Sequence, residues 1–166
     1  MTSCEPTNTP STREIVVERW IDAPRATVFA AWTDPKHLAA WWGPEGYASD
    51  VIQMDVRPGG VFQLNMRGPD GATYACQGVY SEVIDRQRLV ITGPADCGHA
   101  CGAGLPPRAT VTVTFAERDG GTLLTIHTKF ASEQDCAAAA NAGFEPGWVS
   151  TLERLANQLA VREHQP

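Results

Sequence analysis

The 166-residue chain has no cluster of lysine and arginine. Its 13 basic residues are outnumbered by 19 acidic ones, giving a net charge of -6. That balance argues against nucleic acid, whose binding begins with phosphate neutralisation. It argues equally against anionic membrane surfaces. No apolar run approaches the ~20 residues that a membrane-spanning helix needs. The opening "MTSCEPTNTPSTRE" lacks the apolar segment of a secretory leader, so residues 1–12 read as a disordered polar tail on a cytoplasmic protein. A disulfide framework is also missing. Cys4, Cys76, Cys97, Cys101 and Cys136 are odd in number and scattered along the chain, which favours free thiols. There is no Gly-x-Ser-x-Gly elbow, phosphate-binding glycine loop or dinucleotide fingerprint. No nucleophile is assigned, no cofactor is expected, and the reading leans away from an enzyme.

What the chain does have is clear periodicity, over a length that suits one domain, taken as residues 13–162. "EIVVERWI" alternates, with Ile15, Val17 and Ile21 on one side and Val16, Glu18 and Trp20 on the other. "DAPRATVFAAWTDP" starts a helix at Asp22 and Pro24 and places Val28, Phe29 and Trp32 in one stripe. "DPKHLAAWWG" repeats the device: Asp34 caps, Pro35 takes the first helical position, and Gly43 stops the helix.

From residue 47 the pattern turns to strands joined by short connections, hence antiparallel neighbours. "RPGG" at 57–60 and "GPDG" at 68–71 are turns, and Gly78 inside "TYACQGVYSEV" suggests a bulge or a bend. Ser132 caps a further helix, which Gly143 and Pro146 interrupt, and Trp148, Leu152, Leu155 and Leu159 then form the apolar stripe of a long last helix. The fold class expected is α+β: a curved antiparallel sheet wrapped around a long C-terminal helix, with two short helices after the first strand.

This order and several motifs resemble the activator of heat-shock protein 90 ATPase homologue family, within the START-like (SRPBCC, Bet v 1-like) helix-grip superfamily. The residues that carry the resemblance are "DAPRATVFAAWTDPKHLAAWWGP" at 22–44, "DVRPGGVFQLNMRGPDG" at 55–71, "GVYSEV" at 78–83 and "GFEPGWVSTLERLANQLA" at 143–160. The resemblance implies a helix-grip fold with a cavity between sheet and helix. It implies either a small apolar ligand or a chaperone partner, and less readily a cyclase- or hydrolase-type enzyme on the same fold. The family's eukaryotic activators carry an additional N-terminal domain that binds the chaperone. Here only residues 1–12 precede the domain, so the ligand is the favoured expectation.

The inward strand faces and the last helix supply the cavity candidates. These are Phe62, Leu64, Met66, Tyr74, Cys76, Tyr80 and Val113 from the strands, Trp148 and Leu152 from the helix, and Trp42 at the mouth. Trp41, three residues after Leu38, reads as core. Pockets are mostly apolar with a few orienting polar groups, a part that Tyr74 and Tyr80 can play. Asp55 and Glu82 are weighed as acid–base groups at strand ends, while His127 is expected to face solvent.

One stretch fits none of this. "ADCGHACGAG" places His99 between Cys97 and Cys101, in a connection longer than the resembled family's usual one. It reads as half a zinc site, a reversible disulfide or a glycine-rich loop. Three ligands are one fewer than a closed zinc site needs, so the expectation is a loop without metal.

Overall fold

A computed structural model describes residues 13–43, 46–93, 109–141 and 143–163. Cys97, His99 and Cys101 lie outside the described residues.

The chain opens with β1 (Glu14–Ile21), followed by α1 (Arg25–Thr33) and α2 (Pro35–Trp41). Six strands come next: β2 (Ala48–Met54), β3 (Val61–Arg67), β4 (Thr73–Ile84), β5 (Arg88–Thr92), β6 (Thr110–Arg118) and β7 (Gly121–Lys129). The chain then forms α3 (Glu133–Asn141) and α4 (Phe144–Glu163). The strands make one curled antiparallel sheet in the order β1-β7-β6-β5-β4-β3-β2. Closing β1 onto β7 leaves β1 and β2 as the two edges. Helix α4 packs with β1, α2 and α3.

Alternation sets the inner face. Phe62, Leu64 and Met66 on β3 are buried, as are Val111, Val113 and Phe115 on β6 and Leu124, Ile126 and Thr128 on β7. The apolar members of these sets share one core with the buried stripe of α4, formed by Phe144, Trp148, Leu152, Leu155 and Leu159. This is the amphipathic pattern expected of a helix covered on one side only.

Helix α1 starts beside Pro24 as read; Pro24 occupies the N-cap, and its side chain has no acceptor for a capping bond. Two local expectations need correction. Gly78 stays in register opposite Phe62, and the irregularity falls between Tyr80 and Glu82. There the 12-residue strand must bend to follow the curl, and the Ser81 and Thr92 hydroxyls bond at 2.6 Å. Pro146 does not interrupt the last helix. It lies in the first turn of α4, where its missing N–H would have had no helical partner.

The caps at α2 and α3 form as read. The Asp34 carboxylate accepts from the backbone N–H of Lys36 (2.9 Å) and His37 (3.4 Å). The Ser132 hydroxyl accepts from Asp135 N–H at 3.1 Å. Asp34 is accordingly held below its ordinary pKa, chiefly by the Lys36 N–H, with desolvation opposing and His37 helping.

Candidate functional site

The aromatic interior is built from four elements. Helix α1 contributes Trp32, the end of α2 contributes Trp41 and Trp42, β3 contributes Phe62, and α4 contributes Trp148. All five side chains are at most 2% exposed. Trp42 meets Phe62 and Trp148 with ring centroids 5.4 Å away in each case, and Trp32 at 5.9 Å. Trp32 stacks on Trp148 at 6.0 Å and 12°. Beyond Phe62, at 6.0 Å, lies the ring of Tyr80 on β4.

The Arg57-Pro58-Gly59-Gly60 turn fixes Tyr80. Gly59 N–H donates to the Tyr80 carbonyl (2.7 Å), and Tyr80 N–H donates to the Gly60 carbonyl (2.9 Å). The two glycines are needed for different reasons. Gly59 has φ +86°, the left-handed region that glycine enters at no steric cost. At Gly60 any Cβ would collide with the Asp55 carbonyl oxygen. The motif that looked merely like a turn is thus a backbone mount for an inward tyrosine.

Helix α4 is tied to the α2–β2 connection by one side chain. The Arg154 guanidinium donates to the carbonyls of Gly43 (2.9 Å), Tyr47 (3.0 Å) and Ala40 (3.2 Å). A cation on carbonyls at the end of α2 is favourably placed for the helix dipole. The clamp ties α4 to the end of α2 and to the connection that follows it.

Polar accounting separates this region from the rest of the core. Trp41 Nε1 donates to the Ala31 carbonyl (3.1 Å), and Trp20 Nε1 on the outer face donates to the Arg118 carbonyl (2.8 Å). The indole Nε1 atoms of Trp32, Trp42 and Trp148 and the Tyr80 hydroxyl are buried with no hydrogen-bond partner among the described residues. The Thr128 hydroxyl is a fifth such group. A buried donor left unpaired costs about 1–3 kcal/mol. Such groups are few in native proteins, and each calls for an explanation. Burial, and secondarily the Asp55 carboxylate, push the Tyr80 phenol above its ordinary pKa, so it stays a neutral O–H donor.

Of the residues read from sequence as cavity candidates, Trp42, Phe62, Leu64, Met66, Tyr80, Val113, Trp148 and Leu152 are all buried in one core. Tyr74 and Cys76 pair in register with Met66 and Leu64; their side chains lie outside the description. Trp42 is enclosed between Phe62 and Trp148 and does not sit open at a mouth. Trp32, not among the cavity candidates read from sequence, joins the same aromatic cluster, because its place in the stripe of α1 does not distinguish which rings it will meet.

The acid–base candidates are not brought inward. Asp55 pairs with Arg57 (2.7 Å) and Glu82 with Arg88 (2.8 Å) on the surface. His127 faces away from the helix and meets Glu14 across the edge strand at 2.7 Å. Among the described residues no three His, Cys, Asp or Glu side chains are grouped to hold a metal. No described helix is long and apolar enough to cross a membrane. The described pockets are all on the outside, including one over the outer faces of β3, β4 and β5 beside Val61 and Val79.

A seven-stranded antiparallel sheet curled around a C-terminal helix defines the helix-grip class. The model of the family described as "Activator of Hsp90 ATPase homolog 1-like protein" matches residues 22–160, and the chain belongs to that family. Among solved structures, a protein from Nitrosomonas europaea is similar at 24% identity and a TM-score of 0.81, over 95% of this chain and 100% of that one. One from Mycobacterium smegmatis is similar at 26% identity and 0.79, over 91% and 93%. An AHSA1-like protein from Aeromonas hydrophila is similar at 22% identity and 0.70, over 92% and 97%. No curated protein matches the chain.

Proposed function

We propose that the protein binds a small, largely apolar molecule between the sheet and α4, in a domain spanning residues 13–162. The observation that carries this reading is the set of unpaired donors on Trp32, Trp42, Trp148 and Tyr80, gathered in one aromatic interior. A core selected only for stability would favour apolar groups there, since removing an unpaired buried donor is neutral or stabilising. The proposed binding residues are the cavity candidates of the sequence, Tyr74 and Cys76 included, with Trp32 added.

Saturable binding of apolar probes tests it, read as a rise in melting temperature with ligand concentration. Binding should weaken when Phe62 or Trp148 is replaced conservatively, as in Phe62→Leu or Trp148→Phe. No saturable binding by any apolar probe would overturn the reading.

A second reading, a co-chaperone-like role, is favoured by the family's own description. It expects a change in the ATPase rate of a partner chaperone on addition of this protein; an unchanged rate would remove it.

A further inference from the structure

We infer that the molecule held inside is neutral and carries at least two carbonyl-type acceptor oxygens, presented to the Trp32, Trp42, Trp148 and Tyr80 donors. This rests on the interior being a binding site and names the chemistry that site would select.

The first step is the donor count. An indole N–H can only donate, and a phenol held as O–H donates too. Four such donors are unpaired in this cluster. A carbonyl oxygen has two lone pairs and takes two donors, so four donors call for about two such oxygens. A plain hydrocarbon seated among these rings would leave every donor unpaired. It would recover apolar contact and none of the hydrogen-bond deficit.

The second step is charge. The buried polar residues described are Ser49, Thr122, Thr128 and Thr151, none of them ionisable in the ordinary range. Ser49, Thr122 and Thr151 are already bonded to the backbone. On the gripping helix, the Arg154 guanidinium bonds the carbonyls of Ala40, Gly43 and Tyr47. A carboxylate or phosphate inside would therefore be a buried charge with no described counter-ion, which is strongly disfavoured. A neutral oxygen avoids that cost and meets the same donors.

Two other fates for these donors are physical. Buried water can bridge them. The near-perpendicular Trp42–Trp148 and Trp32–Trp42 packings can also point an N–H at a ring face, a weak contact. Both predict no preference among ligands.

The test uses three probes with one carbon skeleton: anthraquinone (two neutral carbonyls), anthracene (none) and anthracene carboxylate (charged). Binding to the full chain is measured by calorimetry and by the indole N–H resonances in nitrogen-15 NMR. The chain has five tryptophans, and Trp20 and Trp41, whose N–H groups are already paired, serve as internal controls. Anthraquinone should bind about tenfold or more tighter than either other probe. It should move the Trp32, Trp42 and Trp148 N–H signals and leave those of Trp20 and Trp41 in place. Tyr80→Phe should weaken anthraquinone several-fold, by the usual worth of one hydrogen bond, and leave anthracene unchanged.

Equal affinity for anthracene and anthraquinone, or tightest binding of the carboxylate, overturns the inference while the binding reading stands. So does anthraquinone binding that moves no indole signal. If none of the three binds, the binding reading itself falls, and the inference with it.

Discussion

Trp41 and Trp42 are neighbours in the chain and equally buried, yet they belong to two differently finished regions. On the Trp41 side the polar groups are paired. Its indole reaches the Ala31 carbonyl, Asp34 caps α2, and Arg154 collects the carbonyls around Gly43. Around Trp42, its own N–H, those of Trp148 and of Trp32 (a ring shared with Trp41) and the Tyr80 hydroxyl are unpaired in an aromatic interior. The Trp41 side has the marks of a scaffold. The other has buried donors that the described residues leave unpaired.

Substitutions can break or sharpen this contrast. The largest effect expected is from Leu152→Ala, which empties the centre of the α4 stripe that both regions share. It should cost about 2–5 kcal/mol in denaturant unfolding. A loss under about half a kcal/mol, the range of surface changes, would mean the sheet does not grip this helix.

Arg154→Met keeps the aliphatic stem and removes the guanidinium from three backbone carbonyls. On the paired side this should lower stability by about 1–3 kcal/mol, as those carbonyls lose a charged donor. No measurable change would show that water replaces the clamp at no cost.

Tyr80→Phe acts on the unpaired side and should have the opposite sign. Removing a hydroxyl with no described partner should raise stability of the unliganded protein by about 0.5–1 kcal/mol. A loss of that size would mean the hydroxyl is bonded in solution, and the contrast between the two regions would shrink.

The smallest effect belongs to Asp34. Its native pKa lies below the ordinary value, so its contribution is present at neutral pH and lost as pH falls through the lowered native pKa. Stability should therefore fall slightly below about pH 4, and Asp34→Asn should flatten that slope because the amide still caps. An unchanged slope in the variant would assign the acid sensitivity to other carboxylates.

Much of this fold was legible in the sequence because it depends on local period. Alternation placed Phe62, Leu64 and Met66 inward, and helical spacing placed Trp148, Leu152, Leu155 and Leu159 on one stripe. The remainder depends on partners that period does not encode. Arg154 occupies an ordinary position in α4, and its carbonyls lie more than a hundred residues away, at separations of 111 and 107 for Gly43 and Tyr47. Gly60 reads as a turn glycine, and only the approach of the Asp55 carbonyl shows why a side chain is barred there. Which indoles lack partners is not a property of their spacing. Spacing separated Trp41 as core from Trp42 at a mouth, yet both are buried, and what divides them is the Ala31 carbonyl beside Trp41. The Cys97, His99 and Cys101 stretch lies outside the described residues, and its reading as a loop without metal stays a sequence-based expectation.

The indole cluster also has an optical consequence. Trp32 lies 4.8 Å from Trp41, 5.9 Å from Trp42 and 6.0 Å from Trp148, centroid to centroid. Excitation absorbed by any of the four will hop among them faster than it is emitted, because transfer between like chromophores is efficient at such separations. Emission polarisation should therefore be low even in a viscous solvent that stops tumbling, and the near-ultraviolet dichroism should show coupled bands of opposite sign. Trp20, set on the outer face against the Arg118 carbonyl, stands apart from the described ring contacts of that cluster. The protein thus carries two optical reporters, a coupled quartet that senses the interior and a single emitter that senses the surface.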